Sequence, residues 1–385
     1  MPDDVLPTET MYAPSLDNLL LSANRQLNIC NSCRYCEGLC AVFPALERRI
    51  ELGSGDITQL ANLCHDCRAC LDACMYAPPH EFELNIPRIL SEVRVESYAA
   101  YVWPRRLPEL LQGWRGALTG MVISSAVVFI TAFASTGFSG LHERQGRAGS
   151  PYDDVPYYPL LTLLLVTSLF SVAVIFVAAR RFWREINGRS TLARPAALWR
   201  ATIESLTLRY LRGGGGGCFY PSATVPSPTR RVLHTLVAYG FGLCLVSTTS
   251  AAVLQDFLGS MPPYDVVSAP VISGLVGGIA MTIGCTGLLA VKASAAGAAA
   301  SPEMTRKDYG LLVALDFLAI SGLMTLFVRS SGAFDVVFIV HLASILFCFV
   351  ATPYSKFVHV IYRYLSLVKN QIEQTSSAEP ELAQV

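Results

Sequence analysis

Charge is scarce in this sequence. Only 15% of its 385 residues are Asp, Glu, Lys or Arg, and the formal net charge is zero. A soluble domain carries about 25% charged residues, so much of this surface must face something other than water. Zero net charge removes the electrostatic argument for a nucleic-acid partner. The first thirty residues lack a basic start followed by an apolar core and a small-residue cleavage site. No signal peptide is therefore expected, and the N-terminal region should stay cytoplasmic and reduced. The five-glycine run in "LRGGGGGCFYP" (211–221) lacks a following Gly-Lys-Ser/Thr, so it gives no support to a P-loop. It reads either as a flexible surface loop or as a tight backbone turn lying against a partner or cofactor.

Long apolar runs are absent from residues 1–100 and frequent after about 117. Six stretches, 117–139, 157–179, 232–256, 267–291, 310–328 and 333–353, approach or exceed the roughly 20 residues that a bilayer-crossing helix needs. Buried core helices of a large soluble protein are the alternative, and six such runs weigh against it. The fold class that follows is mainly α: a helical cysteine-rich domain, then a six-helix transmembrane bundle. The basic residues are concentrated in 180–231 (Arg180, Arg181, Arg184, Arg230 and Arg231 among them), in 292–308, and near the C-terminus at Lys356, Arg363 and Lys369. With six crossings these segments and the N-terminus share one side, expected to be the cytoplasm. The stretch "YVWPRRLPELLQGW" reads as an interface-riding connector. The expected divisions are 1–100, the connector 101–116, crossings within 117–179, a basic loop 180–231, crossings and haem within 232–359, and a cytoplasmic tail 360–385.

The twelve cysteines are unevenly spread, which is not the pattern of a small disulfide scaffold. Eight fall in "CNSCRYCEGLC" (Cys30, Cys33, Cys36, Cys40) and "CHDCRACLDAC" (Cys64, Cys67, Cys70, Cys74), both C-x2-C-x2-C-x3-C. Zinc prefers two separated pairs around one tetrahedral ion; a third cysteine after only two more residues suits a cubane corner. In two-cluster ferredoxins with this spacing the fourth cysteine ligates the other cluster. The expectation is two [4Fe–4S] clusters, one on Cys30, Cys33, Cys36 and Cys74, the other on Cys40, Cys64, Cys67 and Cys70. The motifs form a repeat of 34 residues (64 − 30), with Arg34 matching Arg68 and Pro44 matching Pro78. The proline that usually follows the fourth cysteine is missing, Ala41 and Met75 standing there. "PALERRIEL" and "DITQLANL" look helical, with Asp56 as an N-cap candidate. The domain resembles the helical two-cluster ferredoxins of succinate dehydrogenase and heterodisulfide reductase. His65 inside the second motif reads as solvated, with redox tuning as the other reading, and His80 and His142 read as ordinary polar residues.

An ionisable residue in an apolar helix is a functional candidate, and imidazoles on facing bundle helices are standard haem ligands. His341 and His359 are 18 residues apart, about 27 Å on one helix, too far to share an iron. His234 opens the third crossing and His359 ends the sixth, both at the cytoplasmic edge. A haem b between His234 and His359 is expected. His341 lies deeper, where the third crossing offers Cys244 in place of a second histidine, so one haem is favoured over two. Hydrogen bonding between helices is the other reading of these histidines. Tyr354 and Lys356 read as an aromatic and cationic membrane anchor, or as groups that help a quinone head dock.

Together the double cysteine motif, the basic loop, "LRGGGGGCFYP", "RRVLHTLVAYGFGLCLVSTTSA" and "PYSKFVHVIYRY" resemble the tricarballylate-utilisation protein B (TcuB/CitB) family over most of residues 25–370. The spacing of His341 and His359 also resembles the haem subunit of respiratory nitrate reductase. The family resemblance implies a bacterial inner-membrane protein, N- and C-termini cytoplasmic, with two iron–sulfur clusters and haem. It implies a partner, a cytoplasmic FAD-dependent tricarballylate dehydrogenase, whose flavin this chain reoxidises while passing electrons to quinone; the substrate chemistry would be the partner's. A membrane-anchored iron–sulfur redox sensor is the alternative, and would carry no haem and reduce no quinone. A transporter would need paired, broken half-repeats, and the glycine-rich "SGLVGGIAMTIGCTG" has no counterpart in the other half.

Overall fold

Leu19, Ala23 and Leu27 recur at four-residue spacing and bury one face of the first helix, α1 (Leu16–Cys33). The computed structural model describes residues 16–104, 107, 113–136, 156–187, 195–215, 217–218, 225–295 and 299–382. Two short helices follow each other between the cysteine motifs, α2 (Val42–Glu47) and α3 (Ser54–Leu63). Asp56 is not the N-cap of α3. It sits at the third helical position and its carboxylate accepts from the N–H of Gly53, the actual cap, at 3.1 Å. The second motif contains the single turn α4 (Ala69–Asp72), and α5 (Ile86–Tyr101) closes the domain. Asn85 caps α5 by accepting from Arg88 N–H at 3.2 Å. Among the described residues the β content is one isolated bridge, Cys218 to Ser227.

Six long apolar helices follow: α6 (Gly113–Thr136), α7 (Tyr157–Asn187), then, after α8 (Pro195–Leu206), α9 (Thr229–Asp256), α10 (Ala269–Ala293), α11 (Pro302–Phe327) and α12 (Phe334–Ala351). All six are long and apolar enough to cross a membrane. Two extend well beyond the apolar runs. α7 continues through Arg180, Arg181 and Arg184 to Asn187, because Phe182, Trp183 and Ile186 are buried against the cysteine domain. α11 starts eight residues early, at Pro302, where the Ser301 hydroxyl caps Met304 N–H.

The most intimate packing is between α9 and α10. A β-carbon on Gly240 would lie 2.8 Å from the Gly277 carbonyl, and one on Gly277 2.7 Å from the Gly240 carbonyl. Only glycine allows backbones this close. The glycine-rich fourth crossing is thus a helix-packing face.

The sixth crossing does not run through His359. α12 stops at Ala351, two 3-10 turns occupy Thr352–Tyr354 and Lys356–Val358, and His359 opens a new helix, α13 (His359–Leu382). Pro353 and the Ser355 side chain, which accepts from Phe357 N–H, make the break. Helical rise therefore does not measure the distance from His341 to His359. Nor is 360–382 a tail. Tyr362, Leu367 and Val368 are buried in the same apolar core as Leu27, Leu60 and Leu90 of the cysteine domain. Arg49, largely buried, ties that docking by bonding Asp56 at 2.7 Å, Gln59 at 2.6 Å and Glu373 of α13 at 2.9 Å. Of the connector 101–116, residues 105–106 and 108–112 lie outside the described residues, as does His142.

Candidate functional site

The two cysteine motifs fold back on each other and leave two adjacent cavities. Cys30, Cys33, Cys36 and Cys74 line the first, and Cys40, Cys64 and Cys67 the second; Cys70 is on the wall of both. The repeat is visible in the backbone. Arg34 and Arg68, in matching slots, both adopt left-handed φ, 56° and 66°, which turns the chain sharply between the second and third cysteines. The thiols press on one another. Burial, then the neighbouring Cys74, raises Cys30 to about 12. Burial and then Cys74 raise Cys36 to about 11, and burial and then Cys64 raise Cys40 to about 12. Thiolates in such a place need positive charge to exist, and metal supplies it. Among the described residues no three donors converge on a position for one metal ion. An iron–sulfur cluster instead takes its four thiolates at separate corners, and two cavities walled by cysteines from both motifs fit that donor set.

His65 is buried, contrary to the solvated reading. Its carbonyl accepts from Arg230 at 2.8 Å, and its ring lies 6.0 Å from that of Tyr210. His80 packs against Tyr76 and Phe82, with ring centres 5.1 and 4.9 Å away. The glycine run is no flexible loop where it is described. Gly213 and Gly217 have φ of 53° and 111°, and a β-carbon on Gly217 would sit 2.7 Å from the Ser227 backbone. This tight turn buries Cys218 against Cys67 and Ala69 of the second motif.

Below the second motif, His234 and His359 face each other, ring centres 6.4 Å apart and planes at 89°. Two metal–imidazole bonds of about 2 Å on either side of one ion, plus about 1.1 Å from each ring nitrogen to its ring centre, give about 6 Å. His359 Nδ1 donates to the Lys356 carbonyl at 2.6 Å, which fixes the tautomer and leaves Nε2 as an open ligand atom. Burial, then the adjacent Lys356 and Arg363 charges, hold His359 well below the ordinary histidine value, and neutral imidazole is the ligating form. His234 Nδ1 is buried without a hydrogen-bond partner. The pair fits a haem with two imidazole ligands.

His341 is engaged elsewhere. Its Nδ1 is 3.0 Å from Ser321 Oγ, and its ring lies over Gly322 of α11. This contact between α11 and α12 fits the interhelical reading of His341, and it uses Nδ1 alone, as the Lys356 carbonyl does at His359. Cys244 turns toward Met281 of α10, at 3.8 Å. Tyr354 and Lys356 do not face the membrane edge as anchors. Tyr354 is buried with its hydroxyl donating to Trp103 at 3.0 Å, and Lys356 turns inward to Asp308, which also binds Lys292. One carboxylate between two ammonium groups offsets part of the cost of burying them.

Two arginines connect the two halves, and a third, Arg94, joins them on the same loop from within the cysteine domain. Arg230, one turn before His234, donates to the carbonyls of Asp66 at 2.6 Å and His65 at 2.8 Å. Arg363, one turn after His359, donates to the carbonyl of Cys64, as does Arg94 of α5 at 2.7 Å. Each histidine is therefore about 6 Å of helix rise from a guanidinium that grips the second cysteine loop. Sequence reading treated Arg230 and Arg363 only as orientation signals and passed over Arg94. The four-residue spacing of Arg230 to His234 and of His359 to Arg363 was the available clue, since residues four apart share a helix face.

Comparison with known proteins agrees in extent with both halves. A family model described as "Citrate utilization protein B" matches residues 113–380, and one described as "Citrate utilization protein B Fer4-like domain" matches residues 23–100. Citrate utilization protein B of Escherichia coli is 34% identical over 359 residues, covering 93% of this chain and 94% of the relative. No solved structure matches.

Proposed function

Because this chain belongs to the citrate utilization protein B family, we propose that it carries electrons from a cytoplasmic FAD-dependent dehydrogenase of the tricarballylate type to a membrane quinone. When bound, two [4Fe–4S] clusters and one haem b supply the one-electron chemistry that a two-electron flavin and a quinone need between them. The observation that carries the proposal is the position of the His234–His359 pair directly under the second cysteine loop, held there by Arg230 and Arg363.

The chain's own residues have separable tasks. Cys30, Cys33, Cys36 and Cys74 would hold the cluster nearest the surface, where Cys33 is exposed and Tyr35 and Met75 offer an apolar rim; the flavoprotein docks there. Cys40, Cys64, Cys67 and Cys70 would hold the inner cluster. His234 and His359 would hold the haem, with the Lys356 carbonyl orienting one ligand. The cysteine domain, the basic segment and α13 lie together in the cytoplasm, and the membrane is the bacterial inner membrane.

The test is anaerobic reduction of the purified protein by its flavoprotein, followed at the haem Soret band, beside iron and pyridine haemochrome quantification. The expected result is haem reduction that Cys30→Ser abolishes. Iron without haem would instead identify an anchored iron–sulfur sensor.

A further inference from the structure

The repeat makes the two cysteine motifs similar in sequence, yet their surroundings differ in charge. Around the first motif Arg34 is exposed and spends its Nε on the Asn31 carbonyl at 3.2 Å. Around the second, guanidinium groups converge on three consecutive carbonyls. Arg94 and Arg363 share that of Cys64, and Arg230 takes those of His65 and Asp66. Arg94 is 4% exposed, and its Nε and Nη2 are buried with no hydrogen-bond partner. A buried cation bonded only to a carbonyl is expensive unless an anion lies close by. The Asp66 carboxylate is near, and Asp308 is shared by Lys292 and Lys356. With Arg68, which lines the same cavity, two carboxylates stand against six cationic side chains. The Asp66 N–H also points at Cys64 Sγ, 3.4 Å away.

A cluster with four thiolate ligands is an anion, and reduction adds one more negative charge. Nearby cations, burial and N–H groups directed at the sulfurs each favour that reduced form. We propose that Arg94 and Arg363 act as positioning charges which make the cluster on Cys40, Cys64, Cys67 and Cys70 the stronger electron acceptor of the two. One electron leaves the cluster on Cys30, Cys33, Cys36 and Cys74, oxidising it, and reduces the inner one, with no proton required. The fold thus sets the direction of flow, from the exposed motif inward. The inference rests on the cluster ligands assigned above.

Potentiometric titration of the full-length protein, followed by EPR, tests it. The signal that Cys67→Ser removes is expected at the higher potential, and the one that Cys33→Ser removes at the lower. Arg94→Gln should weaken the inner cluster's electron affinity by at least about tenfold, which is about 59 mV for one electron, and leave the outer cluster unmoved. Arg94→Lys, keeping the charge, should restore most of it. If Arg94→Gln does not accumulate, Arg363→Gln serves the same purpose. An inner cluster at the lower potential, or a shift equal in both clusters, overturns the proposal. Iron analysis below two clusters per chain overturns the ligand assignment instead.

Discussion

The cysteine domain and the membrane bundle use hydrophobic residues in opposite ways. In the first, Leu27, Leu60 and Leu90 are fully buried, and exposed apolar side chains such as Tyr35 and Met75 are few. In the second, Phe176 is 64% and Phe327 83% exposed, while glycines fill the helix contacts. Water drives the first arrangement. Lipid is as apolar as leucine, so the bundle must be held by close backbone packing and hydrogen bonds between helices. Apolar exposure that would mark a defect in one half is the normal state of the other. The boundary between them joins a shared apolar core, to which Phe182, Trp183 and Tyr362 contribute, with polar contacts: Arg230 and Arg363 on backbone carbonyls, and Arg49 with Glu373.

The contrast can be broken most completely at the ligands. Cys64→Ser should cost about half of the bound iron while haem absorbance stays, and His359→Ala should do the reverse; iron assay and haemochrome spectra on the same samples read both. Changes that lose both cofactors together would show that the halves do not fold separately. Next in size is Arg49→Ala, which removes the bonds to Asp56, Gln59 and Glu373 while Arg48 and Lys369 still reach Glu373; it should cost about 2–3 kcal/mol, seen as a lower unfolding midpoint of the cysteine domain by near-ultraviolet circular dichroism. Gly277→Val forces α9 and α10 apart and should cost about 1–3 kcal/mol, measured as earlier thermal aggregation in detergent with iron content unchanged. Smallest is Ser321→Ala, which removes the partner of His341 and should cost about 1 kcal/mol. Haem retention in His341→Ala, measured beside it, would separate His341 from the haem-binding pair.

Much of this organisation is legible in the chain, and the reasons are physical. Cysteine spacing is a local constraint, so the two cavities follow from a few residues. Apolar runs report their environment directly, so all six membrane helices are visible with errors only at their ends. Those errors come from tertiary contact: Phe182, Trp183 and Ile186 prolong α7 because the cysteine domain covers them. The break before His359 is harder to see, because Pro353 and Ser355 interrupt a stretch whose composition still favours helix. His65, Tyr354 and Lys356 look polar or amphipathic alone, and their burial depends on groups far along the chain: the Tyr210 ring over His65, Trp103 for Tyr354 and Asp308 for Lys356. The glycine run shows the same dependence, since Ser227 and Cys67 are what turn it from slack into a fixed bend.

The docking of α13 has a consequence for biogenesis. This helix follows every membrane span in the chain, yet Tyr362 and Val368 complete the apolar floor beneath the N-terminal cysteines. A ribosome-bound chain with its spans already inserted would still present those thiols on an unfinished base. If the cysteines hold clusters as proposed, loading is expected to follow translation of α13, and a truncation before His359 should lower bound iron as a cysteine substitution does.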